Sequence, residues 1–146
     1  MSKRINISEI EPAGYKAVLA LESYLQNVAL TPIQKELIKI RASQINACPF
    51  CLDMHTKDAL KYGETAQRIF VLEGWRETHL FTEEEKVLLA MTEEITLISK
   101  KGLTDKTYEN AKKFFNENQI AQIIIAIITI NAWNRIAIST HLPIPN

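Results

Sequence analysis

Both cysteines of the chain and one of its three histidines fall within Ala47-Cys48-Pro49-Phe50-Cys51-Leu52-Asp53-Met54-His55. Pro49 suits the first position of a helix, where a missing N–H costs nothing, so Cys48 is expected at the helix mouth and Cys51 in its first turn. There the unpaired backbone N–H groups and the positive end of the helix dipole favour a thiolate over a thiol. A three-residue separation also allows the two sulfurs to form a disulfide. His55, four residues after Cys51, lies on the same helical face. The chemistry these residues suit is that of a reactive thiolate, a second thiol and a base.

Glu36 precedes them in a segment, Pro32 to Ala47, whose apolar residues Ile33, Leu37, Ile40 and Ile45 recur at helical spacing. If the chain reverses around Ala47-Cys48, the two helices run antiparallel. At a rise of about 1.5 Å per residue, Glu36 then comes within a turn of His55. A relay from Glu36 through His55 to Cys51 follows: the carboxylate orients the imidazole and raises its basicity, and the imidazole takes the thiol proton. The competing readings of the cysteine pair are half of a zinc site and inert packing. A closed zinc site needs four ligands, and the chain offers Cys48, Cys51, His55 and a distant His79 or His141. No second Cys-x-x-Cys is present, and no alternation of strand and helix suggests a thioredoxin fold.

Glu36, eleven residues, Cys-x-x-Cys, three residues and His together resemble the core motif of the alkylhydroperoxidase D-like branch of the carboxymuconolactone decarboxylase family. The run from Arg41 to Ala59 and the later Asn131-Ala-Trp-Asn-Arg135 are also similar to its small single-repeat members, so the resemblance covers roughly residues 15 to 140. It implies an all-α fold, peroxide reduction by the cysteine pair and assembly into homo-oligomers, a trimer or a hexamer. Position by position, it makes Cys51 the peroxide-attacking thiol, Cys48 the resolving thiol, and Glu36 and His55 the proton relay. It calls for a hydroperoxide substrate, an external dithiol reductant of the lipoyl- or thioredoxin-like kind, and no cofactor or metal. The position before the second cysteine, a histidine in the best-known family enzyme, is Phe50 here. Two alternatives remain beside this reading: the lactone decarboxylase chemistry of the same family, which needs no cysteine pair, and a non-catalytic redox or zinc-binding interaction protein.

The elements that must position these residues are legible as helices. Residues 11 to 28 carry Tyr15, Val18, Leu21, Leu25 and Val28 at amphipathic spacing. Thr31-Pro32-Ile33-Gln34 is a capping box that opens the Glu36 helix, and Gly63 stops the site helix. A shorter segment runs from Glu64 to about Leu72. Thr82-Glu83-Glu84-Glu85 is a second capping box, with acids in the first turn where the dipole favours them; its helix reaches about Lys100 and closes at Gly102. Thr104 or Asp105 caps the next helix, which ends near Asn116. Ile120 to Ile138 is apolar on nearly every face and is expected to be buried all round, with the side that one small domain leaves open covered by a second copy; Gln122, Thr129, Asn131, Asn134 and Arg135 interrupt it and argue against a membrane span.

The expectation is a single domain over residues 1–146, all-α, with six to eight helices. Asn134 and Arg135 are expected to satisfy buried polar groups, Trp75 and Trp133 to anchor the core or an interface, and His79 and His141 to have no role. Seventeen basic and seventeen acidic side chains cancel, so no long-range field draws the protein to nucleic acid or to an anionic membrane. The first ten residues hold no apolar core of signal-peptide length, which makes the cytoplasm the expected compartment. In that reducing setting a lone close cysteine pair is catalytic or metal-binding more often than a structural staple.

Overall fold

The computed structural model of the chain describes residues 4–145. Residues 1–3, part of the start read above for an export signal, and residue 146 of the expected 1–146 domain lie outside it. The described residues are all-α, as expected: α1 (Ile7–Ile10), α2 (Pro12–Leu25), α3 (Pro32–Ile45), α4 (Pro49–Lys61), α5 (Ala66–Phe70), a 3₁₀ segment (Leu72–Glu77), α6 (Glu83–Thr96), α7 (Ile98–Lys101), α8 (Asp105–Ala111) and α9 (Glu117–Thr140). The helices beyond the expected eight are single-turn pieces. Asn6 caps α1 through its side chain, and α7 is the last turn of the expected Thr82 helix, set off by a break at Leu97.

Both expected capping boxes form, at Thr31 with Gln34 and at Thr82 with Glu85, and Thr104 rather than Asp105 caps α8. A third box, Asn116 with Gln119, starts α9 three residues before its first isoleucine. Helix α3 lies at the centre, packed against α4, α6 and α9. It buries Leu37, Ile38, Ile40 and Ala42 among Leu88, Leu89 and Met91 of α6 and Ile123, Ile127 and Ile130 of α9. Truncating any of these large core side chains to alanine removes about 2 to 5 kcal/mol.

Polar groups fix how the layers meet. Glu93 on α6 accepts from Arg41 of α3 at 2.8 Å and from the Trp75 indole at 2.9 Å, and it pairs with Arg76 at 2.6 Å. Burial pushes the Glu93 carboxyl up, but these three donors outweigh it and hold the group below its ordinary value. On α9, Asn134 is fully buried; it donates to Ser43 Oγ and accepts from Asn46, each at 2.9 Å, while Asn46 also donates to Asn131 at 3.0 Å. Arg135 is exposed and, among the described residues, donates to Asn131 of its own helix.

Helix α9 is not buried all round. Ile123, Ile127 and Ile130 are inside, whereas Ile128 is 50% and Ile138 40% exposed, with Ile124 and Ile125 half-buried. The other helices cover one side of it and leave a stripe open. By length and composition α9 could cross a membrane, but its inner face packs against α2, α3, α4 and α6 and carries hydrogen-bonded Gln122, Asn134 and Thr129.

The turn joining α3 to α4 is the local feature on which the site depends. Helix α3 ends with Cys48 N–H donating to Ser43 O at 3.0 Å and Ala47 N–H to Gln44 O at 3.2 Å, and Ala47 sits at φ 53° between them. This is the left-handed helix stop usually supplied by glycine, and α4 ends in the same way with Gly63 at φ 94°. An alanine in that region costs about 1 to 2 kcal/mol. Ala47→Gly removes the strain but gives back about 0.4 to 1 kcal/mol through a looser unfolded chain. The expected outcome is a net gain of up to about 1.6 kcal/mol in the unfolding free energy of the reduced protein, read from denaturant titration; a loss of about 1 kcal/mol would show that the turn is not strained.

Candidate active site

Cys48 ends α3 and begins α4 at once. It is the N-cap of α4, its Sγ accepting from Cys51 N–H at 3.4 Å, and Pro49 takes the first helical position as the sequence indicates. The two cysteines are joined as a disulfide with their Cα atoms 5.4 Å apart. Both lie at the positive end of α4, where a thiolate released by reduction meets backbone N–H groups. Around them Phe50 and Ala137 form a small apolar cluster separate from the main core.

One turn along α4, His55 Nδ1 lies 2.9 Å from Glu36 Oε2, both side chains buried. The antiparallel α3–α4 pairing thus brings together Glu36, His55, Cys51 and Cys48, the four residues singled out in the sequence. With the carboxylate ionised, Nδ1 carries the proton and donates it, which leaves Nε2 as the basic nitrogen of the ring.

Cys51, His55 and Glu36 open onto a cavity of about 580 Å³ walled mainly by α2, α3, α4 and α9. Leu19, Leu25, Phe50, Met54 and Ile136 make much of its surface apolar. Cys48 is 0% exposed and is not among the wall residues, whereas Cys51, 2% exposed, is. A molecule in the cavity therefore meets Cys51 and not Cys48.

Three further residues at the cavity carry polar chemistry that the motif does not name. Lys39 Nζ lies 2.8 Å from Glu22 Oε1 and 3.4 Å from Glu36 Oε1. Burial alone would lower the Lys39 ammonium, but Glu36 and Glu22 outweigh it and hold the group above its ordinary value. Trp133, expected as an anchor, stacks edge-on against Tyr15 at 5.3 Å and donates from Nε1 to Glu22 Oε2 at 3.3 Å. A signal for Lys39 does exist in the sequence: it stands three residues after Glu36, between Leu37 and Ile40, on a stretch otherwise buried.

The ligands weighed for a zinc site do not come together in this form. The disulfide occupies both sulfurs, His79 is exposed in the loop before α6, and His141 closes α9 at φ 54°. Among the described residues, the group that brings possible ligand atoms together, within 4.8 Å, is Glu36, His55 and Asp58. A cation there would face the Lys39 ammonium on Glu36.

The carboxymuconolactone decarboxylase family model matches residues 12–94, which include α2, α3, α4 and the whole Glu36–Cys48–Cys51–His55 group. The uncharacterized protein YdfG of Bacillus subtilis (strain 168) is 43% identical over 139 residues, covering 95% of each chain. Among solved structures, ATU0492 of Agrobacterium tumefaciens superposes with a TM-score of 0.95 at 39% identity over 99% of each chain; it is of unknown function and has been proposed as the antioxidant defence protein AhpD. The alkylhydroperoxidase AhpD core of an uncharacterized peroxidase-related protein from Ralstonia eutropha JMP134 shares the fold at a TM-score of 0.83 and 15% identity, with 95% of this chain and 74% of that one covered. With a helical pair that carries Cys-x-x-Cys beside a Glu–His couple, and with that match over more than half its length, the chain belongs to the carboxymuconolactone decarboxylase family, in its AhpD-like branch.

Proposed function

We propose that the protein is a thiol-dependent peroxidase that reduces organic hydroperoxides through Cys51 and Cys48, with His55 and Glu36 moving the protons. The observation that carries this reading is the placement of Cys51, and not Cys48, on the wall of the cavity beside the His55–Glu36 pair. In the reduced enzyme His55 takes the Cys51 proton. The thiolate attacks the distal oxygen of ROOH, the O–O bond breaks, and the departing alkoxide takes a proton from His55 to leave as ROH, with Cys51 as sulfenic acid. The Cys48 sulfur then displaces hydroxide from Cys51, its own proton going to form water, and the disulfide closes. An external dithiol, of the lipoyl- or thioredoxin-like kind, returns both sulfurs to thiols and leaves oxidised.

A cytoplasmic setting suits this cycle, because it supplies reducing equivalents to a lone cysteine pair. The exposed isoleucine stripe of α9 supports the further reading that the protein works as a homo-oligomer, a trimer or a hexamer, with a second copy covering Ile128 and Ile138. Static light scattering at micromolar concentration is expected to give a multiple of 16.6 kDa. A lone species at the monomer mass would remove the oligomer.

Free-thiol titration tests the activity itself. One equivalent of an organic hydroperoxide is expected to convert two thiols per chain to none, and Cys51→Ser to abolish peroxide consumption. If Cys48→Ser stopped the first step and Cys51→Ser did not, the roles would be reversed; a protein whose thiols ignore hydroperoxide would point back to decarboxylase chemistry or a binding role. Glu36→Gln leaves His55 less basic and less well oriented, and is expected to slow peroxide consumption by about 10²- to 10⁴-fold, the usual worth of general acid–base assistance. A pH–rate profile for Glu36→Gln that overlays the wild type would take Glu36 out of the mechanism.

A further inference from the structure

Beyond the Cys51–His55–Glu36 sequence, the site contains a buried ammonium that this cycle does not use. Lys39 sits on α3 among Leu37, Ile38 and Ile40, at a position that would otherwise be core. Its Nζ is held between Glu36 Oε1 at 3.4 Å and Glu22 Oε1 at 2.8 Å. Each carboxylate spends its second oxygen elsewhere: Glu36 on His55 Nδ1 at 2.9 Å, Glu22 on the Trp133 indole at 3.3 Å. An unbroken chain of alternating charge therefore runs from α2 through α3 to the imidazole on α4.

We propose that Lys39 and Glu22 are positioning residues of the proton relay: the ammonium keeps Glu36 ionised and turned toward His55, holding the pair in its proton-accepting state, and Glu22 limits how strongly it does so. The electrostatics have a definite sign. A buried carboxylate next to an imidazole tends to draw a proton onto the pair, and a relay already protonated cannot take one from Cys51. A cation on the far oxygen of Glu36 opposes that uptake. Left alone, the same cation would also make the pair too poor a base, and Glu22 offsets part of its charge. The other groups that face the relay do not substitute for this pair. Lys35 donates to Leu25 O at 3.1 Å; Asp58, within 4.8 Å of Glu36 and His55, is an acid, of the wrong sign to oppose proton uptake, and pairs with Lys61 at 2.8 Å; and among the described residues α9 puts Trp133 but no charged side chain on the cavity wall.

The proposal takes its purpose from the peroxidase reading, but its test does not require peroxide. In the disulfide form neither cysteine titrates, so the ring-proton NMR titration of His55 reports the relay alone, as one midpoint shared by His55 and Glu36. Lys39→Met is expected to move that midpoint up by about one to three pH units, Glu22→Gln to move it down, and Lys39→Arg to restore the wild-type position. Shifts of opposite sign from two variants on either side of one ion pair are not what loss of packing produces. A Lys39→Met midpoint that stays in place, or shifts in the same direction for both variants, would overturn the proposal. If Lys39→Met fails to fold, an unmoved midpoint in Glu22→Gln overturns it equally. Expected shifts in a protein that consumes no hydroperoxide would sink the peroxidase reading and leave the positioning role standing; an active peroxidase with unmoved midpoints would do the reverse.

Discussion

A carboxylate buried in the middle of a helical protein constrains everything around it. Removing Glu36 from water costs several kcal/mol unless its charge is matched and its oxygens are occupied. Both conditions are met here by residues from other positions in the fold. His55 reaches it from α4 and Lys39 from the next turn of α3, and Glu22 holds Lys39 from α2. Neither the His55 contact nor the Glu22 contact survives a change in how the three helices are arranged, so the pairing of α3 with α4 and the placement of α2 over them are one requirement. The apolar packing of α3 against α6 and α9 is non-directional, whereas the Glu36–His55 contact requires this arrangement of helices.

The same economy governs the cysteine pair. A thiolate needs donors and positive potential, and a helix start offers both without an extra charged side chain. Placing Cys48 as N-cap and Cys51 in the first turn puts both sulfurs there, and the left-handed Ala47 makes the reversal tight enough for α3 to lie beside them. Asn46, bonded to Asn131 and Asn134 of α9, ties the turn to the core. The reactive sulfur is thus held by a turn that is itself clamped.

Much of this is legible in the sequence because it is local. The capping boxes at Thr31 and Thr82, Pro49 behind Cys48, and Gly63 after the site helix are short-range signals whose physics acts within one turn, and each forms as read. The Glu36–His55 contact is longer-range, yet it follows from two helices and one reversal, so helical rise suffices to find it. Lys39 and Glu22 are different. Their pairing depends on where α2 crosses, and no spacing rule places α2 relative to α3. Which side of α9 stays open is hidden for a related reason: periodicity shows which residues are apolar, but which sides of a helix are covered depends on the neighbours the fold supplies, and within the single chain Ile128 and Ile138 are left out. The stop at Ala47 hides because alanine is an ordinary helix former and the strain it bears is a property of the assembled hairpin.

Cys48 serves two helices at once, as the residue whose N–H closes α3 and whose sulfur opens α4. No spare residue exists between the carboxylate's helix and the thiol's helix to absorb a length change. One residue added to α3 between Glu36 and Ala47 would swing Glu36 by about 100° around the helix and displace it by about 1.5 Å along it, carrying the carboxylate off the imidazole and into α6 or solvent. The interval from Glu36 to Cys48 therefore works as a ruler cut to length: substitutions along it can be absorbed by repacking, whereas insertions and deletions cannot.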